Sequence, residues 1–177
     1  MNYIDIYKSD TTNGPGIRVV LWVSGCSHKC KECHNPQTWD QNAGIEFDKD
    51  AEKTLVEYLK KPWIAGLTLS GGDPLFENNL NEVYAIVKKI KTELPNKTIW
   101  LYSGFTWEDI FDSQDENMLL RQKIVSLCDV FVDGPFKINK KNLLLKWKGS
   151  ENQKVIDVQK SLIENDIVVI DNDPLPL

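Results

Sequence analysis

The sequence predicts an α/β protein in which a parallel sheet forms an open, partial barrel of about five or six strands. Short apolar runs rich in β-branched residues alternate with segments whose apolar residues recur at helical spacing. Such alternation favours parallel strands joined by right-handed crossovers. The strands are fewer than the eight of a closed α/β barrel, so the sheet is expected to stay open on one side.

Four apolar runs give the clearest strands, and each leads into a turn or a loop. The carboxyl ends of parallel strands meet at one edge of a sheet, where ligands bind. We therefore expect the stretches that begin at Gly25 and Gly71, together with Ser103 and Gly104, to lie close together. The runs are IRVVLWVS at 17–24, GLTLS at 66–70, a strand at 98–103 and DVFVD at 129–133.

The first helix is predicted after the cysteine-rich stretch. Asp48 or Asp50 is suited to cap its N-terminus, and apolar residues then recur on one face through about Lys60. Pro62 ends it.

A second helix has the most regular pattern in the chain. Asn79 and Glu82 resemble a capping box at its start, and Pro95 closes it. A third helical region spans roughly 107–126. The apolar face of the second helix consists of Leu80, Val83, Val87, Ile90 and Leu94.

Composition limits the classes of function. With 177 residues, residues 1–177 are expected to form a single domain. The formal net charge of -5 gives no reason to expect nucleic-acid binding. The sequence shows neither a signal-peptide pattern nor a membrane-spanning run, which predicts a cytoplasmic protein. In a reducing cytoplasm, clustered thiols indicate a metal site or redox chemistry rather than disulfides.

Three of the four cysteines, Cys26, Cys30 and Cys33, lie within eight positions and form the pattern C-x3-C-x2-C. Zinc would need a fourth ligand, and His34 is the nearest candidate, but adjacent residues seldom point at one tetrahedral centre. An electron-transfer iron-sulfur cluster takes four cysteines, which would require Cys128. Cys128 opens an apolar run, where a small buried cysteine is the commoner case. Three thiolates on a 4Fe-4S cube would instead leave one iron open to substrate.

The spacing of the cysteines after the first strand resembles the signature of the radical S-adenosylmethionine (SAM) enzymes, in which the open iron binds SAM. The chain departs from that signature at Glu32, where an aromatic residue is common. Gly71, Gly72 and Asp73, directly after the second strand, resemble the glycine-glycine-acid turn that holds the methionine amino group. The resemblance implies a partial barrel of the radical SAM type.

Further stretches resemble one family, the activating proteins of anaerobic (class III) ribonucleoside-triphosphate reductase. Lys148 and Lys154 stand where that family commonly has arginine, which would replace a bidentate contact by a point charge. The matching stretches are NGPGIR at 13–18, CHNPQTWD at 33–40, VDGPF at 132–136 and WKGSENQK at 147–154.

The resemblance implies an oxidoreductase that cleaves SAM to a 5'-deoxyadenosyl radical and installs a glycyl radical on the reductase. Its implied partners are the reductase and a one-electron donor such as flavodoxin. Residues 13–16 are a candidate for the surface that meets the partner's glycine loop. By motif position, Cys26, Cys30 and Cys33 would hold the cluster, and Glu32, Cys33, His34, Gly71, Gly72 and Asp73 would contact SAM.

Other functions stay open at this stage. The chain could activate a different glycyl-radical enzyme of the formate-lyase type, or act in deazapurine biosynthesis as a small radical enzyme. A non-catalytic zinc or iron-sulfur interaction module is a further alternative. His28 and Trp39 are assigned no catalytic role, because a loop histidine and a packing tryptophan are the commoner cases.

Overall fold

A computed structural model describes residues 1–170 and places a mixed seven-stranded sheet beside five α-helices. The strands are β1 (Asn2–Asp10), β2 (Ile17–Val23), β3 (Ile45–Glu46), β4 (Ile64–Gly71), β5 (Thr98–Tyr102), β6 (Val130–Asp133) and β7 (Lys154–Asp157). The helices are α1 (Lys49–Leu59), α2 (Leu80–Glu93), α3 (Trp107–Phe111), α4 (Glu116–Ser126) and α5 (Val158–Glu164).

The strand order is β3-β1-β2-β4-β5-β6-β7. Strands β2, β4, β5 and β6 are the four predicted apolar runs, and their parallel pairing is confirmed. The predicted count of about five or six parallel strands is wrong, because β1, β3 and β7 add antiparallel pairs at the two edges. Among the described residues the two edge strands do not meet, so the sheet is open as expected.

One face of the sheet packs against the helices. Alternate residues of each central strand point to this face, as the period of two requires. They interlock with the apolar faces of the helices in one large buried cluster. On the strands its members include Val19, Leu21, Val23, Leu67, Leu69, Ile99, Leu101 and Phe131.

The helix starts differ in part from the predictions. Asp48 caps α1 by accepting hydrogen bonds from the N–H groups of Asp50 and Ala51, as expected. The capping box predicted at Asn79 is wrong: the side chain of Asn79 makes no cap hydrogen bond, and its Nδ2 donates to the carbonyls of Ser24 and Asp73.

The helical region expected at 107–126 is divided into α3 and α4. Asp115 begins the second of these helices, since its carboxylate accepts the N–H groups of Asn117 and Met118. An N-cap residue has non-helical backbone angles, and Asp115 is extended. A cap in the middle of the region therefore separates the two helices.

The opposite face of the sheet carries a smaller apolar cluster around Trp100, Val132 and Val155. The segment after β6 returns across this face and places Trp147 against Trp100, with ring centroids 5.0 Å apart. In the described part of the chain this surface is covered by loops, including Gly14 and Trp147, and it is called the open face below. No helix within residues 1–170 has the length and apolar character needed to cross a membrane.

Arg18 is buried on the open face. Its Nε donates to Thr68 Oγ1 at 2.7 Å, and its Nη2 donates to the carbonyls of Leu67 and Thr98. Through these hydrogen bonds the guanidinium connects β2, β4 and β5 beneath the open face. Burial lowers the pKa of Arg18 to about 10.

Candidate functional site

A cavity of about 550 Å³ opens on this face, at the carboxyl ends of the parallel strands. That volume is in the range of small-molecule sites. The three cysteines of the C-x3-C-x2-C pattern line it together with residues from the ends of β4 and β5, as predicted, and residues from the end of β6 line it as well. These lining residues include Cys26, Cys30, Cys33, Gly71, Gly72, Ser103, Gly104 and Gly134.

The loop that carries the cysteines is held in place by its backbone. Gly25 N donates to Thr38 O at 2.8 Å, and Cys26 N donates to Trp39 O at 3.2 Å, which closes the loop at its base. Gly25 has a φ of +95°, and a Cβ there would lie 2.6 Å from the ring of Phe76. The turn therefore requires glycine.

The three thiols of the loop are partly buried and carry no disulfide. Burial, and secondarily the charge of Asp73, raises the pKa of Cys26 to about 11, and burial also raises the pKa of Cys30. Backbone N–H groups are already directed at the sulfur atoms: Asn35 N lies 3.3 Å from Cys33 Sγ. Soft thiols with N–H donors suit an iron-sulfur cluster, whose sulfurs accept such bonds.

Cys128, the fourth cysteine, does not line the cavity. It is fully buried in the main core, and its Sγ contacts Ile124 O at 3.3 Å. Burial raises the pKa of this thiol. Among the described residues, no three His, Cys, Asp or Glu side chains form a group that could hold a single metal ion.

The glycine turn after β4 is attached to the base of the cysteine loop. Gly72 N donates to Val23 O at 2.8 Å, and Asp73 N donates to Gly25 O at 2.7 Å. Gly71 has a φ of +110°, and a Cβ on it would lie 2.6 Å from Val23 O. Close contact between the two backbones thus excludes larger residues at this turn.

The side chain of Asp73 is not part of the cavity wall. It is 1% exposed; Oδ1 accepts the N–H of Leu75, and Oδ2 accepts Ser103 Oγ and Gly104 N at 3.0 Å. Glu32 is exposed and is also absent from the cavity wall, whereas His34 is part of it. Of the six predicted SAM contacts, these two acidic residues therefore present no side chain to the cavity.

His28 connects the cysteine loop to the ends of β4 and β5. Its Nε2 lies 3.0 Å from Asp73 Oδ2, although the two atoms are not aligned as a hydrogen bond. Its ring packs edge to face with the ring of Phe105, and the two ring centroids are 4.6 Å apart. A Cβ on Gly104 would lie 2.5 Å from His28 Cγ, so the ring occupies the space that this glycine leaves.

The end of β1 and the loop after it form another wall of the cavity, which is lined by Asp10, Thr12 and Asn13. Burial alone would raise the pKa of Asp10, but hydrogen bonds from the backbone N–H groups of Asn13 and Thr12 lower it overall. The carbonyl of Asn13 accepts Thr68 Oγ1 at 2.8 Å, which anchors this loop to the strand held by Arg18.

Residues 147–154 close a third side, with Trp147, Lys148, Gly149 and Gln153 in the wall. Gln153 Oε1 accepts Gly149 N at 2.9 Å, and its Nε2 donates to Gly134 O at 3.0 Å. Lys148 Nζ donates to the carbonyl of Gln153. Lys154 is not part of the cavity wall, and its Nζ donates to Glu108 Oε1. Gln153 therefore fastens this segment to the turn after β6.

Sequence reasoning missed the floor of the cavity, which includes Trp22, Ser70 and Tyr102. Their strand register places them in one row across β2, β4 and β5. Trp22 Nε1 and Tyr102 Oη are buried and have no hydrogen-bond partner within residues 1–170. Burial raises the pKa of Tyr102, and the charge of Arg18 opposes the rise. Strand periodicity was the available signal, because these residues alternate with the core-facing Leu21, Leu69 and Leu101.

Comparison with known proteins gives a consistent result. The family model described as a 4Fe-4S single cluster domain matches residues 12–156. A protein of Enterobacteria phage T4 is 42% identical over 88% of this chain and 93% of its own length. Proteins of Vibrio cholerae and Escherichia coli K12 are 41% and 39% identical over 88% of this chain and 97% of theirs. All three are named anaerobic ribonucleoside-triphosphate reductase-activating protein. This chain, with its 4Fe-4S single cluster domain, belongs to the family of anaerobic ribonucleoside-triphosphate reductase-activating proteins.

Proposed function

We propose that this protein is a radical SAM oxidoreductase that installs a glycyl radical on anaerobic ribonucleoside-triphosphate reductase. One observation carries the proposal: three free thiols and a glycine turn, supplied by different strands, line the same cavity on the open face. When bound, a reduced 4Fe-4S cluster and SAM would supply the radical chemistry, in which the Cα of the target glycine gives up a hydrogen atom and methionine and 5'-deoxyadenosine are the products.

Cys26, Cys30 and Cys33 would hold the cluster, leaving one iron for SAM. Gly71 and Gly72 would let the methionine end of SAM approach the backbone, whose carbonyls accept hydrogen bonds from its amino group. Cys33 and His34 line the same cavity. Glu32 and Asp73 would contribute through their backbone, since neither side chain faces the cavity.

The open sheet, with helices on one face and the cavity on the other, is consistent with a partial radical SAM barrel. The open side leaves space for a segment of a macromolecular substrate. We place the glycine loop of the reductase there, between residues 10–13 and 147–153, which line two different sides of the cavity. A one-electron donor such as flavodoxin, in the cytoplasm, would reduce the cluster.

Anaerobic reconstitution tests this proposal. Protein loaded with iron and sulfide, reduced with dithionite and given SAM should form 5'-deoxyadenosine, and added reductase should then show a glycyl radical by electron paramagnetic resonance. Alanine at Cys26, Cys30 or Cys33 should abolish both signals.

Cys128→Ala is the matched control, because Cys128 is buried away from the cavity. It should retain the iron and both activities. Loss of iron in this variant would favour a four-cysteine electron-transfer cluster. About one zinc per chain without iron or sulfide, or turnover of a small substrate without a protein partner, would refute the proposal.

A further inference from the structure

Residues 137–148, here called the lysine loop, differ in charge from the rest of the chain. The loop contains five of the 21 basic residues and none of the 26 acidic residues, in a protein whose net charge is -5. Within residues 1–170, none of its lysines forms an ion pair with a carboxylate. The five are Lys137, Lys140, Lys141, Lys146 and Lys148.

The tip of the lysine loop exposes apolar side chains beside this charge. Leu143 is 84% exposed and Leu144 is 38% exposed. A single exposed leucine is ordinary, but neighbouring leucines surrounded by cations have the composition of an apolar contact with a polar rim. The loop therefore offers both contact area and charge to a partner.

The loop is fixed rather than extended into solvent as a free tail. Lys141 and Ser150 form a β-bridge, and Glu151 N donates to Lys140 O at 2.9 Å. Asn142 Nδ2 donates to Glu151 Oε1, and Leu144 N donates back to Asn142 Oδ1. Because the backbone is held by these bonds, a partner would meet a surface that is already ordered, which lowers the entropic cost of binding.

Both ends of the lysine loop reach the cavity. Phe136, directly before the loop, lines the cavity wall, as do Trp147 and Lys148 at its end. A molecule that binds the loop is thereby placed beside the cavity mouth. The other surfaces of the protein carry the excess of negative charge, so an acidic partner would be attracted here and repelled elsewhere.

We propose that the lysine loop is the docking surface for an acidic segment of the reductase that contains apolar residues and lies near the glycine entering the cavity. This inference rests on the proposed function and adds the chemistry of the contact. Lysines steer the two proteins into register, and the leucines at the tip are buried when they meet.

The test is a titration of the cognate reductase onto the holoenzyme at about 50 and about 300 mM salt. Simultaneous Lys140→Glu, Lys141→Glu and Lys146→Glu changes should raise the Kd by at least about tenfold at low salt and remove most of its salt dependence. Leu143→Ser should weaken binding by several-fold and keep the salt dependence. These lysines have no ion-pair partners within residues 1–170, so thermal melting should be unchanged.

The matched control replaces Lys49, Lys53 and Lys60, three exposed lysines in or next to α1 on the helix-covered face, by glutamate. It should bind the reductase as the unmodified protein does. Equal binding by the two triple variants, or equal weakening, would overturn the docking proposal.

Formation of 5'-deoxyadenosine with dithionite, without reductase, separates the two proposals. It should be unaffected by the loop variants, because it needs neither the partner nor a protein electron donor. If the unmodified protein forms none, the proposed function fails while the titration still decides the docking surface. If the loop variants bind reductase normally and lose activity only with a protein electron donor, the loop serves that donor and our assignment is wrong.

Discussion

Asp73→Asn is the most informative change beneath the cavity. The carboxylate of Asp73 accepts Leu75 N on Oδ1, and Ser103 Oγ and Gly104 N on Oδ2. Asparagine keeps one oxygen and replaces the other by an NH2 group, so in either orientation one backbone N–H faces a donor. Leaving such a group unsatisfied costs about 1–3 kcal/mol, and losing the charge of the acceptor weakens the remaining bonds. We expect a loss of about 2–4 kcal/mol in the free energy of unfolding.

Urea unfolding of the cluster-free protein under anaerobic, reducing conditions measures this loss. Glu57→Gln is the matched control, because Glu57 is exposed on α1 and a surface substitution of this kind changes stability by less than about 0.5 kcal/mol. A loss for Asp73→Asn no larger than that of the control would refute the structural role of the carboxylate. It would return Asp73 to the role predicted from the sequence, a side chain that holds the SAM amino group.

Two further predictions address other parts of the site, and a third concerns Cys128 in the core. Gly104→Ala should destabilise the protein by about 1–3 kcal/mol in urea unfolding, because the new methyl group overlaps the His28 ring; the additional change His28→Ala should recover much of this loss. Asp10 has a lowered pKa, so it contributes stability above its ordinary pKa that is lost as the pH falls through the folded value. The urea midpoint of Asp10→Asn should therefore fall less than that of the unmodified protein between about pH 6 and about pH 3. Cys128→Ala should cost about 1 kcal/mol in urea unfolding and leave the iron content unchanged by metal analysis.

The sequence was sufficient to predict the central strands, because each is buried on both faces or nearly so and forms a continuous apolar run. The edge strands were not predictable in this way. β1 is exposed along much of its length and mixes charged with apolar residues, and β3 has only two residues. Their pairing depends on the edge of β2 that they cover, which no local pattern reports.

The candidate site, like the fold, was predictable only in part. The positions of the cysteines and glycines followed from the ends of the strands, but the orientation of polar side chains did not. Asn79 has the residue type and spacing of a helix cap, yet its amide is bound to the carbonyls of Ser24 and Asp73. A buried carbonyl that lacks a partner costs more than an uncapped helix end near solvent, so the tertiary contact takes precedence.

Gly25 connects the two motifs of the site. Its N–H closes the cysteine loop against Thr38, its carbonyl accepts Asp73 N, and a Cβ on Gly72 would overlap that same carbonyl. The cysteine loop and the glycine turn are thus fixed to each other through one residue, before any ligand binds. Catalytic sites depend on reacting groups being held in place in advance, and this shared backbone contact provides that constraint for the proposed cluster and SAM positions. The sequence predicted that the two motifs lie close together but not that they share one carbonyl, since Gly25 and Gly72 are in contact only because β2 and β4 are neighbours in the sheet.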